Sequence, residues 1–186
     1  SPQDCRGLRI RTLANEAHQR VFRALGFEPQ VIDVRDLAAA IEAKQADAQE
    51  NPMTNTYQMG LHKTQRHIVL TGHLLGVTLV LFNRETFQSW SQPVQAAVSA
   101  ALAEATAKQR LFAQEEEAKC EAAMRRDGVE FTTLSAAERA RFVAATAEEV
   151  AAMRAGLDVE ILEMFHEELA RVAAEQSPDP TKIREE

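Results

Sequence analysis

The chain has 186 residues, of which 45% are hydrophobic and 26% charged, a composition typical of a globular protein rather than a disordered one. Its formal net charge of −7 argues against nucleic acid or an anionic membrane surface as a general partner. No apolar run approaches the ~20 residues of a membrane span, and the chain opens on Ser1-Pro2-Gln3-Asp4 without the features of a secretory signal.

The first fifty residues alternate between strand-like and helix-like segments. Asn15 is a good N-cap for the first helix, Gly26 a good terminator for it, and Asp36 a good cap for the second helix. The β-α-β-α order favours a parallel sheet layered with helices. The predicted elements are a strand over 7–13, a helix through 25, a strand over 30–34 and a helix over 37–48.

Two further strands are predicted after the loop that contains Asn51 and Pro52. The first covers residues 68–71 and the second residues 74–82. The second is almost continuously apolar, as is typical of a strand that is covered on both faces.

The second half of the chain is predicted to be mainly helical. A helix over residues 91–126 has an apolar stripe at helical spacing and would be about 50 Å long. After a short strand over 129–133, Ser135 and Glu138 have the spacing of a capping box, which predicts a helix to about residue 174. The stripe consists of Val94, Val98, Leu102, Ala105 and Phe112.

These elements suggest three parts. Residues 1–83 are expected to form an α/β ligand-binding lobe with crossing strands. Residues 84–176 are expected to form a helical part that includes a long hinge-spanning helix. Residues 177–186 form a polar tail with two prolines.

No catalytic, cofactor or metal motif is evident in the sequence. His62, His67 and His73 lack the i, i+4 spacing of a helical metal site, so no metal ligands are assigned. Cys5 and Cys120 fit no metal or nucleophile pattern and are interpreted as two buried, unpaired thiols, with a disulfide formed in an oxidising compartment as the alternative. Because no acid–base or nucleophile constellation can be assembled, we expect a protein that is not an enzyme and needs no cofactor.

Arg11 and Asn51 have positions that suit ligand binding. Arg11 ends the first predicted strand, where open α/β sheets place their ligands, and a guanidinium binds a carboxylate through two parallel hydrogen bonds. The amide of Asn51 can both donate to a carboxylate and accept from a hydroxyl group. The pattern alone also fits ordinary structural positions for both residues. Arg11 would then be a surface arginine and Asn51 a loop asparagine.

Several segments together resemble the solute-binding subunits of tripartite ATP-independent periplasmic (TRAP) transporters, the DctP-type binding proteins. The turn Asp47 to Pro52 is the most specific of them, and it departs from the family pattern in having Ala48 where the family has glycine. The resemblance covers almost the whole chain. It depends on Gly7-Leu8-Arg9-Ile10-Arg11, Leu25-Gly26, Ala46-Asp47-Ala48-Gln49-Glu50-Asn51-Pro52, Leu70-Thr71-Gly72-His73 and Gly128-Val129-Glu130.

The resemblance implies a periplasmic-binding-protein-like (class II-type) α/β fold with long C-terminal helices. It implies binding of a small carboxylate-bearing organic acid in the periplasm, with the membrane subunits of a TRAP transporter as partners. Arg11 matches the family's carboxylate-binding arginine and Asn51 its ligand-contacting asparagine. Val34 lies where some members have an aromatic ring, and His73 ends the Thr-Gly-His segment.

A second departure from the family pattern concerns the segment before the first strand. Family members carry a long segment before the Gly-Leu-Arg-Ile-Arg strand, which here begins at Gly7, so the first lobe is expected to be incomplete. The apolar stripe of the long helix would then lack its partner. Identical chains could cover it by forming a homodimer through these helices. A helical dimerisation module without a transport role is therefore the alternative function.

Overall fold

The computed structural model describes residues 1–176, so the predicted polar tail over 177–186 lies outside the described residues. Five strands and seven helices are described there. The strands are β1 (Arg9–Thr12), β2 (Glu28–Val31), β3 (Ala48–Gln49), β4 (His67–Leu70) and β5 (Glu130–Thr133). The helices are α1 (Glu16–Ala24), α2 (Leu37–Glu42), α3 (Met53–Gln58), α4 (Arg84–Ser89), α5 (Gln92–Arg126), α6 (Ala136–Ala155) and α7 (Val159–Gln176).

The first sheet has the predicted β-α-β-α arrangement. Its three strands are parallel in the order β2-β1-β3, and Arg11 lies opposite Gln30 on one side and Gln49 on the other. Asn15 caps α1 through its side chain, which accepts a hydrogen bond from the His18 backbone N at 3.1 Å. Gly26 has a φ of 95°, the left-handed conformation that lets the chain turn from α1 into β2.

The interior beside this sheet is formed by side chains from α2 and the segment after α3. Leu37, Ile41 and Leu61 pack together with exposed fractions of 0%, 8% and 1%, and Met59 packs against them. Ile10 of β1 is also buried. Burial of this kind contributes about 1.5–3 kcal/mol per large aliphatic side chain, so these side chains stabilise the α/β region.

A second sheet joins the two halves of the chain. β4 pairs in parallel with β5 from His67 opposite Glu130 to Leu70 opposite Thr133. β5 follows the C-terminal end of the long helix α5. The last turns of α5 are buried at Met124, which is 0% exposed. Helix α6 returns to pack against α1, where Arg20 Nε lies 3.0 Å from a Glu149 carboxylate oxygen. The cysteines Cys5 and Cys120 are both buried and unpaired, as predicted.

Three sequence-based expectations differ from the structure. The strand predicted over 74–82 is wrong, because those residues have no strand conformation and no described strand lies beside them to pair with. The helix predicted over 37–48 ends at Glu42, since Lys44 has a φ of 55° and cannot continue a helix. The last helical segment is divided into α6 and α7 at Gly156.

The long helix and the segment before it expose much apolar surface. Val94 and Phe112, at the two ends of the predicted apolar stripe, are 46% and 60% exposed. Leu75 and Leu81 are more than four-fifths exposed. Within residues 1–176, no helix is both long and apolar enough for a membrane crossing.

Candidate functional site

The predicted site residue Arg11 is buried in the first sheet. Its side chain is only 2% exposed, and its Nε donates a hydrogen bond to the Ile32 carbonyl oxygen at 2.8 Å. Within the described chain, the two terminal guanidinium nitrogens donate no hydrogen bond to any protein group. Because a buried cation requires compensation, these two donors are suited to an anion that comes from outside the described residues.

The charge of Arg11 acts on two side chains, those of Glu50 and His18. Glu50 follows β3 directly, and His18 lies in the first turn of α1. Burial raises the pKa of Glu50, and the positive charge of Arg11 opposes that rise. Burial also lowers the pKa of His18, and the same charge lowers it further. Both shifts place Arg11 in the same electrostatic environment as these two side chains.

His73 reaches this group from the segment that follows β4. Its Nε2 lies 3.8 Å from one Glu50 carboxylate oxygen, and its Nδ1 lies 2.7 Å from the Thr71 hydroxyl oxygen. Its ring stacks almost parallel to that of His18 with centroids 6.4 Å apart, while the Phe22 ring contacts both histidines edge-on. Burial and then the nearby His18 lower the pKa of His73, which favours its neutral form.

Asn51 and Val34 lie at the ends of the two outer strands. Asn51 follows Glu50, and its side-chain nitrogen donates to the Gln49 side-chain oxygen at 2.5 Å. Val34 begins a 3-10 turn two residues after Ile32, the residue whose carbonyl holds Arg11, and is 39% exposed. Arg11 therefore lies near the carboxyl end of β1, and Asn51 and Val34 follow the carboxyl ends of the two neighbouring parallel strands, where α/β proteins bind ligands.

Ala48 does not strain the turn in which the family has glycine. It lies in β3 opposite Ile10, in a regular strand pairing. Among residues 1–176, Lys44 is the one non-glycine residue with a positive φ, so Ala48 does not need the freedom of glycine.

Sequence reasoning missed His18 and Glu50. His18 is three residues after the cap Asn15 and reads as an ordinary helical residue, whereas Glu50 reads as part of a loop. The one signal available in the sequence was the turn Asp47 to Pro52, in which Glu50 directly precedes Asn51. Of the three histidines considered together, His62 stacks on Tyr57 and His67 pairs with Glu130 at 3.2 Å, so only His73 belongs to this group.

Comparison with known proteins identifies the family. The model of the DctP family, bacterial extracellular solute-binding protein family 7, matches residues 1–156. The chain belongs to this family. This confirms the resemblance to TRAP-type solute-binding proteins and the α/β fold that it implied. The members of this family are binding proteins rather than enzymes.

Two relatives and one solved structure illustrate the similarity. A solute-binding protein of Verminephrobacter eiseniae is 30% identical over 146 residues, covering 78% of this chain and 43% of its own length. The C4-dicarboxylate-binding periplasmic protein DctP of Rhodobacter capsulatus is 28% identical, with coverages of 94% and 48%. A TRAP periplasmic solute-binding protein of Roseobacter denitrificans with bound β-D-glucuronate is 25% identical, with a TM-score of 0.72 and coverages of 82% and 50%. The chain thus spans about half the length of the relatives it matches.

Proposed function

We propose that this chain provides ligand-binding residues of a periplasmic solute-binding protein for a small carboxylate-bearing organic acid, serving the membrane subunits of a TRAP-type transporter. The observation that carries the proposal is the buried guanidinium of Arg11, whose terminal nitrogens have no described protein acceptor. The family's solute-binding role supports it. The alternative, a helical dimerisation module without a transport role, has no support from these comparisons.

In the proposed complex, the ligand carboxylate accepts two parallel hydrogen bonds from Arg11. The Ile32 carbonyl fixes the guanidinium through Nε and so orients the planar fork before the ligand arrives. The Asn51 amide, now bonded to Gln49, would exchange that bond for one to the ligand. Val34 would form an aliphatic wall of the ligand site, and the imidazole of His73 would be a polar group at its edge.

The relatives suggest which acids to test first. The R. capsulatus relative is named for C4-dicarboxylates, and the R. denitrificans structure contains β-D-glucuronate. Both ligands carry a carboxylate that an arginine fork can bind. We therefore choose glucuronate and succinate as the first probes for this chain.

Calorimetric titration of the full chain with these acids tests the proposal. Removing one partner of a buried charge pair costs about 2–5 kcal/mol, so Arg11→Ala should weaken binding by at least about thirtyfold. Arg11→Lys keeps the charge but loses the fork, and it should also weaken binding. The matched control is Arg35→Ala, since Arg35 is 85% exposed and pairs with Asp33 beside the same strand end.

Two outcomes would contradict the proposal. One is equal acid affinity in the parent and both Arg11 variants while circular dichroism shows all of them folded. The other is the absence of binding for every acid in a broader panel of keto acids, dicarboxylates and sugar acids. Association of identical chains through the long helices stays a separate prediction, which sedimentation at several concentrations would measure.

A further inference from the structure

His18, Glu50 and His73 bring three metal-ligating side chains together from separate parts of the chain. The two imidazole nitrogens and a Glu50 carboxylate oxygen all lie within 4.8 Å of one another. His18 belongs to α1, Glu50 follows β3, and His73 follows β4. The group is therefore built by the fold and does not arise from neighbouring residues on one surface helix.

These three groups are close together without being hydrogen-bonded to one another. Each histidine Nε2 lies 3.8 Å from a Glu50 oxygen, which is longer than a hydrogen bond. The Nε2 atom of His18 is buried and has no hydrogen-bond partner. A buried nitrogen of this kind costs free energy unless something else binds it.

We propose that His18, Glu50 and His73 form a binding site for a divalent transition metal ion, with Zn²⁺ as the best match. Two imidazoles and one carboxylate are a common zinc ligand set that leaves a fourth position open for water or another ligand. Ligand atoms at zinc bond lengths in a tetrahedral site lie about 3.4 Å apart. The observed separations are 3.8 Å from each Nε2 to a Glu50 oxygen and at most 4.8 Å within the group, so side-chain rotations would shorten them to that spacing.

The environment of the two histidines suits metal binding. The side chains of His18 and His73 are 14% and 37% exposed, so His18 lies in the interior and His73 at its edge. The Thr71 hydroxyl contacts Nδ1 of His73, which orients the ring and leaves Nε2 directed to Glu50. Glu50 supplies the one negative charge of the set.

Arg11 opposes a bound cation, and this predicts coupling to the organic acid. After burial, its charge contributes to the lowered pKa of His18, and it opposes the rise that burial causes in the pKa of Glu50, so it would also repel a metal ion at their ligand atoms. An acid carboxylate between the metal and Arg11 would reduce that repulsion and could occupy the fourth position. The coupling rests on the proposed function, whereas the metal site itself does not.

Titration of the metal-stripped full chain with Zn²⁺ alone, with no acid present, tests the site. We expect one equivalent to bind, and a rise in melting temperature with zinc concentration. His18→Gln and His73→Gln should each weaken zinc binding by at least about tenfold, the smallest loss typical of disturbing a zinc site. His67→Gln is the matched control, because His67 also contacts a carboxylate but is 79% exposed and has no third ligand beside it.

Visible absorption of the Co²⁺ form gives a second readout, since intense bands report tetrahedral coordination by the protein. The proposal is overturned if the parent binds no Zn²⁺, or if both variants bind it as tightly as the parent. Loss of binding in His67→Gln alone would also overturn it by placing the ion elsewhere. Acid titration in the presence of a chelator measures the proposed function separately, so failure of one proposal leaves the other intact.

Discussion

Two regions of this chain contain the same kinds of aliphatic side chain and differ sharply in what covers them. Around the first sheet, Leu37 and Leu61 are at most 1% exposed, whereas Leu75 and Leu81 in the segment after β4 are 83% and 82% exposed. Apolar character therefore predicts a need for burial, but only a second layer of structure meets that need. The described chain supplies such a layer for the first region alone.

The largest effect is expected from shortening a core side chain. Leu37→Ala should destabilise the protein by about 2–5 kcal/mol, because it opens a cavity beside Ile41 and Leu61. Leu81→Ala, the matched control in the exposed region, should change stability by no more than about 0.5 kcal/mol. Urea unfolding followed by circular dichroism measures both.

The two leucine variants directly test the difference between the covered and the exposed region. If Leu81→Ala costs as much as Leu37→Ala, the exposed segment is packed in solution against something outside the described residues. If Leu37→Ala is nearly neutral, the interior beside the first sheet does not stabilise the α/β region.

A smaller effect is expected from the caps of the two long helices. The Ser135 side chain accepts from the Glu138 backbone N at 3.3 Å, and Glu138 in turn accepts from the Ser135 backbone N at 2.8 Å. Ser135→Ala should cost about 0.5–2 kcal/mol. Ser91 begins α5 without any side-chain cap hydrogen bond, so Ser91→Ala is a matched control with a smaller expected effect.

Amide hydrogen exchange in the first turn of α6 would locate this loss. Faster exchange at Glu138 and Arg139 in Ser135→Ala is the expected result. Equal destabilisation by the two serine variants would show that the observed capping box contributes nothing beyond serine's local preference.

The sequence predicted the features that depend on neighbouring residues. The Asn15 cap, the Gly26 turn and the Ser135 capping box each involve residues within a few positions, and all three are present. The parallel order of β1 and β2 followed from the alternation of elements. These signals are local, because a cap or a turn is satisfied by the adjacent backbone.

The parts that failed depend on distant residues. Residues 74–82 have the composition of a buried strand, but a strand requires a neighbour, and none is described there. His18, Glu50 and His73 are separated by more than twenty residues at each step, so no spacing rule connects them. Only the packing of α1 against the sheet, and the path of the chain after β4, bring them together.

The smallest effect we predict concerns an ion pair at the edge of the well-covered region. Asp47 accepts hydrogen bonds from the Arg9 backbone N at 3.0 Å, from Nε at 2.9 Å and from Nη2 at 2.7 Å. These bonds tie the turn before β3 to β1, and they lower the pKa of Asp47 from 3.8 to about 2. The unfolded chain therefore binds more protons between these two values, and stability rises with pH across that window.

Asp47→Asn should accordingly lower the melting temperature above about pH 4, where the contribution of the ionised carboxylate is fully present. The difference from the parent should shrink as the pH falls from about 4 towards 2, because the parent then loses the same interaction. Asp33→Asn is the matched control: its pKa is also lowered to about 2, but by Arg35, only two residues away and 85% exposed. A pair so close in sequence persists in part in the unfolded chain, so its removal should matter less. A pH-independent difference for Asp47→Asn would show that the asparagine acts through packing and not through the lost charge.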